Sequence, residues 1–204
     1  MAASRPASGT AGPAPVRRAG VSSGAFGMVL FLATEAMFFT GLISAFLVLR
    51  SRIGGWPPPG QPRLPIAITG FNTVLLLLSG YTMLRAVRLN RAAGGRATRW
   101  LVATTLLGAA FLAIQGFEWT RLLGFGLTMS STLYGGTFYT LVGAHGLHML
   151  AALIVLLAIT RRAIAARGSA PSDETLSVCA MYWVFVVAVW PILYILVYQP
   201  WGAG

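Results

Sequence analysis

The chain has no lysine, one cysteine, two histidines and four acidic residues among its 204, and each scarcity closes off a class of function. The lone Cys179 sits in an apolar run, which leaves neither a disulfide framework nor a thiolate metal site. The histidines, His145 and His148, and the acids, Glu35, Glu118, Asp173 and Glu174, are too few and too scattered to build a haem, copper or zinc centre unaided. Charged residues make up 9% of the chain and apolar residues 56%, with a mean hydropathy of +0.75. That composition is far from a soluble domain and reads as an integral membrane protein. All 15 basic residues are arginine, for a net charge of +11. They fall in short segments between apolar runs instead of on one basic face, which excludes a nucleic-acid partner. No inverted repeat and no pair of interrupted apolar segments points to a secondary transporter.

Residues 1–24 are rich in Ala, Ser, Gly and Pro, carry Arg5, Arg17 and Arg18, and lack the apolar core of a cleavable signal. They are expected to form a disordered cytoplasmic tail. Residues 25–204 then read as an all-α membrane bundle of five spans, each near the ~20 residues needed to cross hydrocarbon. The expected spans run from Ala25 to Leu49, Ile66 to Val87, Trp100 to Leu123, Tyr134 to Ile159 and Leu176 to Tyr198. Trp56, followed by Pro57-Pro58-Pro59, cannot continue a helix and marks an interface anchor. Trp100, Trp119 and Trp201 also fall at expected membrane surfaces, whereas Trp183 and Trp190 lie inside the fifth span. Pro191 is expected to kink that span or open its backbone ladder. The tail and the second and fourth connections hold most of the arginines; the first and third hold only Arg50, Arg52, Arg63 and Arg121. The positive-inside rule therefore places the N-terminus in the cytoplasm and the C-terminus outside.

Ionisable residues within membrane spans are costly and usually face protein. Straight-helix arithmetic puts Glu35 about 16 Å from the cytoplasmic start of its span and His148 about 20 Å from the cytoplasmic end of its own, so the two share a depth. Desolvation favours the neutral acid at Glu35 unless a cation stands beside it, with His148, His145 or, from the second span, Ser79 or Asn72 as candidate partners. His145 and His148, three apart, share a face and can point into one inter-helix cleft. Their expected role is hydrogen bonding that locks helices together. Glu118 falls near the opposite membrane surface, within reach of Arg121 on the same face.

Five segments in order resemble subunit III of the haem-copper respiratory oxidases. They are Gly27 to Phe39 around Glu35; Trp56-Pro57-Pro58; Asn72 to Gly80; Gln115-Gly116-Phe117-Glu118-Trp119; and Tyr134 to Tyr139 with Gly143-Ala144-His145-Gly146-Leu147-His148. The chain resembles the five-helix form, lacking the first two of the seven helices in longer members. Where the family usually shows Tyr-Trp-His-Phe-Val-Asp, this chain has Tyr182-Trp183-Val184-Phe185-Val186-Val187. The resemblance implies an accessory, cofactor-free subunit of a proton-pumping terminal oxidase in a bacterial inner membrane. Haem and copper would reside in partner subunits I and II, with phospholipid bound to this chain, which would support assembly and proton uptake; a larger respiratory supercomplex is compatible with this. Glu35, His145 and His148 would be its buried polar residues, and Asn72, Ser79, Gln115, Glu118, Arg121, Tyr182 and Trp183 its helix or lipid contacts. Nothing in the chain meets the electron donor, so a quinol oxidase or a nitric oxide reductase accessory subunit stays open beside a cytochrome c oxidase. A free-standing transporter or scaffold is the alternative of a different class.

Overall fold

A computed structural model describes residues 22–52, 65–92, 97–130, 132–166 and 171–198. Trp56, Trp201 and nearly all of the expected tail lie outside these. The described residues form five helices, α1 (Ser23–Ser51), α2 (Ile66–Arg91), α3 (Ala97–Gly124), α4 (Leu133–Ala165) and α5 (Asp173–Tyr198), and contain no strand. Each is long and apolar enough to cross a membrane.

The helices begin where the chain supplies caps. Ser22 Oγ accepts from the Ala25 amide at 3.2 Å, Thr132 Oγ1 from Gly135 at 3.1 Å, and Ser172 Oγ from Thr175 at 3.2 Å, so each satisfies an amide that has no partner within its helix. Pro65 precedes α2, and Asp173 and Glu174 occupy the first turn of α5, where the helix dipole favours negative charge. Arg88 and Arg91, and Arg162, fall in the last turns of α2 and α4, again with the dipole. Four helices extend beyond the expected spans at their arginine-bearing ends: α2 runs on to Arg91, α3 starts early enough to include Arg99, α4 continues to Ala165, and α1 reaches Ser51. Hydropathy detects only the hydrocarbon-length core, whereas the hydrogen-bond ladder continues through arginine, a good helix former.

α5 is the centre of the bundle. Its backbone packs against α2, α4 and α1, while α3 joins α2 to α4 and reaches α5 through side chains. α1 lies in the groove between α4 and α5 and does not pack against α2 or α3. Its register against α5 is parallel: Phe31 meets Tyr182, with ring centroids 5.8 Å apart, Phe39 meets Phe185 at 6.3 Å, and Arg50 donates to the Leu196 carbonyl near the far end. The α3–α5 contact depends on a missing side chain. A Cβ on Gly108 would stand 2.4 Å from the Trp183 ring, so only glycine admits the indole there. Trp183 and Trp190 are fully buried, and α5 continues as a helix through Pro191.

Candidate functional site

Glu35 stands two residues from the midpoint of α1, and His148 one residue from that of α4. Their expected common depth becomes a contact: His148 Nε2 lies 2.8 Å from Glu35 Oε2. The other ring nitrogen, Nδ1, lies 2.7 Å from the Ala144 carbonyl. A carbonyl can only accept, so Nδ1 carries a proton, and the Nε2–Oε2 contact then holds one more. That proton belongs either to an imidazolium facing a carboxylate or to a carboxylic acid facing a neutral imidazole. Both arrangements have zero net charge, which makes the pair tolerable in hydrocarbon. The side chains are 17% and 19% exposed, and the Phe38 and Phe39 rings flank the imidazole at 5.8 and 5.1 Å.

The expectation that both histidines enter one cleft is corrected. Positions three apart on a helix differ by about 60° around its axis, and here that rotation sends their hydrogen bonds to different helices, although both rings touch Phe39. His148 reaches outward to α1, whereas His145 is 1% exposed and donates through Nε2 to the Val186 carbonyl of α5 at 3.1 Å. Its ring lies 4.9 Å from that of Trp190, with Phe111 and Phe39 at 6.4 and 6.5 Å. Pro191 has no N–H to give Val187, so the α5 ladder is one bond short at the turn where His145 docks. Nδ1 of His145 is buried without a hydrogen-bond partner. Gly146, between the histidines, lies beneath Trp119; a Cβ there would stand 2.9 Å from the indole.

A second correction concerns α2. Ser79 and Asn72 are not partners of Glu35, because α2 never meets α1. Asn72 Nδ2 donates to the Phe111 carbonyl at 3.1 Å, and Ser79 Oγ both donates to the Leu76 carbonyl and accepts from the Trp183 indole at 3.3 Å. These residues tie α2 to α3 and α5. Gln115 Nε2 donates to the Tyr198 hydroxyl at 3.2 Å, and Glu118 pairs with Arg121 at 3.5 Å as its spacing suggested. Val187, at the position where an aspartate was expected, is buried 3.2 Å from where a Cβ on Gly80 would stand. An apolar contact therefore occupies that place.

Three links escaped sequence reasoning: Arg50 to the end of α5, Trp190 Nε1 to Thr73 Oγ1 at 2.9 Å, and Asn90 Nδ2 to Asp173 at 2.6 Å. Each joins residues more than 80 positions apart, and composition carries no trace of them. Among the described residues no three His, Cys, Asp or Glu side chains converge to hold a metal ion. Beside the pair, Phe31, Ala151, Ala152, Val155, Cys179 and Tyr182 line much of a largely apolar groove of about 550 Å³ between α1, α4 and α5, with Glu174 and Thr175 also on its wall. This arrangement can hold and exchange a single proton.

A family model described as cytochrome c oxidase subunit III matches residues 15–203. The chain is 38% identical to cytochrome c oxidase subunit 3 of Synechocystis sp., over 85% of this chain and 74% of that protein. It is 35% identical to the probable cytochrome c oxidase subunit 3 of Mycobacterium leprae, over 84% and 85% respectively. It is 34% identical to cytochrome c oxidase subunit 3 of Loxodonta africana, over 87% and 69%.

Proposed function

The chain belongs to the cytochrome c oxidase subunit III family, and from that premise we propose that it is the accessory subunit of a proton-pumping terminal oxidase that holds its redox centres in other subunits. Haem and copper reside in partner subunits I and II, and this chain contributes packing, phospholipid contacts and support for proton uptake. It sits in a bacterial inner membrane with residues 25–204 as one membrane domain, the N-terminus cytoplasmic and the C-terminus outside, in accord with the arginine distribution. The names of its relatives favour a complex that draws electrons from cytochrome c over a quinol oxidase or nitric oxide reductase.

The observation that carries this reading is the Glu35–His148 contact at the middle of α1 and α4, within a chain matched to the family along almost its whole length. Among the described residues, His148 spends both nitrogens on Glu35 and Ala144, and no further His, Cys, Asp or Glu joins His145 in a cluster able to hold a metal. Purification through a tag on this chain from its own membranes is the direct test. Haem and copper should co-purify in fixed ratio, while the chain expressed alone should carry neither. Recovery of the tagged chain free of any haem protein would reject the assignment.

A further inference from the structure

The outer face of α2 carries a feature that the Glu35–His148 site does not use. Phe71, Val74, Leu78 and Tyr81 are all exposed, and their alternating spacings of three and four place them on one stripe. The same stripe continues into Arg85 and Arg88 near the end of the helix. Arg85 lies six residues before the last residue of α2, about 9 Å along the axis, which is the depth where basic side chains meet lipid headgroups.

Arg85 is held in place by its face. Its guanidinium stands 5.3 Å from the centroid of the Trp100 ring, and Tyr81 meets Trp100 edge-on at 6.3 Å. Arg85 Nε is buried without a hydrogen-bond partner, and among the described residues no carboxylate pairs with Arg85 or Arg88. A cation–π contact leaves the in-plane N–H groups of a guanidinium unspent. Those groups match the oxygens of a phosphodiester, which guanidinium binds two at a time. Arg161 and Arg162, at the corresponding end of α4, are exposed and, among the described residues, have no such aromatic backing.

We infer that Arg85, Arg88 and Trp100 seat the headgroup of an anionic phospholipid whose acyl chain lies along Phe71, Val74, Leu78 and Tyr81. This deepens the lipid-binding part of the proposed function and rests on it. The apolar stripe and the basic end match the two halves of such a molecule in order and in length. A partner helix bearing a carboxylate is the competing occupant.

The test uses the intact oxidase purified in mild detergent, with bound lipids counted by native mass spectrometry and phosphatidylglycerol or phosphatidylcholine then added back. Arg85→Gln combined with Arg88→Gln should remove one anionic lipid per complex while every subunit stays. Affinity for added phosphatidylglycerol should fall about tenfold or more, and that for phosphatidylcholine should not move. Arg161→Gln should behave as wild type. If the double variant assembles poorly, Arg88→Gln alone, altering an exposed side chain, should weaken phosphatidylglycerol in the same direction. An unchanged anionic-lipid count, or loss of a partner subunit with lipids retained, would overturn the site. A wild-type complex carrying only zwitterionic phospholipid would overturn this site alone, and one carrying no phospholipid at all would defeat it together with the broader lipid-binding reading.

Discussion

α1 and α5 are both long apolar helices, yet the bundle treats them differently. α5 buries eleven residues against all four other helices, whereas α1 buries only Phe39 and Phe46 and, of the other helices, packs against α4 and α5. In the buried middle of α5 the polar contacts are neutral and short-reaching: indole to hydroxyl at Trp183 and Trp190, and imidazole to carbonyl at His145. Along α1 they are few and involve ionisable groups, Glu35 to His148 and Arg50 to the Leu196 carbonyl. In lipid there is no hydrophobic drive between helices, so close packing and inter-helix hydrogen bonds must hold them together. α5 has both in quantity. α1 has little packing and depends on a few directional links, so substitutions in the two regions should fail in different ways.

The largest effect is expected where packing is tightest. Gly108→Ala would place a methyl 2.4 Å from the buried Trp183 ring, and overpacking of this kind typically costs about 1–3 kcal/mol, occasionally more. The purified chain should lose thermal stability across α2, α3 and α5 together. Adding Trp183→Phe should recover part of the loss by removing the obstructing ring edge, despite the lost bond to Ser79. If Gly108→Ala alone leaves the melting temperature unchanged, the α3–α5 contact is not as close as described.

Glu35→Ala should act on α1 instead. It removes one inter-helix hydrogen bond, worth about 0.6–2 kcal/mol in membranes, and leaves His148 Nε2 without its partner. Amide hydrogen exchange on the intact complex should show faster exchange along α1, with α2 and α3 unmoved. Uniform acceleration through all five helices would contradict the separate attachment of α1. A double-mutant cycle with His148→Ala would isolate the pair's own contribution.

Arg50→Met is the milder version of the same experiment. It keeps the aliphatic stem but removes the donor that reaches the last turn of α5, where carbonyls receive no bond from within the helix. A loss of under about 1 kcal/mol is expected, with faster exchange confined to the lower-numbered side of residue 198 and the end of α1. Protection unchanged at both places would show that the contact contributes nothing.

How far these regions were legible in the sequence follows from what hydropathy and helix rise measure. Both are one-dimensional. They gave five spans and equal depth for Glu35 and His148, because position along the axis needs only a count of residues at about 1.5 Å each. They also placed Glu118 beside Arg121, since that pair shares a helix. Rotation and neighbour choice are two-dimensional, and there the reading failed: His145 and His148 part company, and Asn72 and Ser79 serve α3 and α5 instead of Glu35. Nothing in the run of α2 announces that it never meets α1. The helix ends were missed for a different reason, because arginine lowers hydropathy without disturbing helix.

The smallest effect is expected from Glu35→Gln, and it bears most directly on function. The contact with His148 holds a single proton, and an amide can stand on either side of it. Its NH₂ can donate to a neutral Nε2, or its oxygen can accept from a protonated one. The attachment of α1 should therefore survive almost unchanged, in contrast to Glu35→Ala. What the amide cannot do is release a proton, so the variant separates holding from conducting. The surroundings argue for holding. Between Val21 and Glu35 the polar side chains are Ser22, Ser23 and Thr34; Ser22 caps the helix, and Thr34 donates to the Phe31 carbonyl at 2.7 Å. The neighbouring groove is lined mostly by apolar side chains, with Tyr182, Thr175 and Glu174 as its polar members. A compulsory proton path would need a closer series of groups able to bind and pass a proton. Oxygen consumption and proton release by the reconstituted complex should thus stay within about twofold of wild type, well under the ~1.4 kcal/mol that a tenfold change represents. Near-complete loss of turnover in a fully assembled Gln variant would instead put Glu35 on the route that feeds the catalytic subunit.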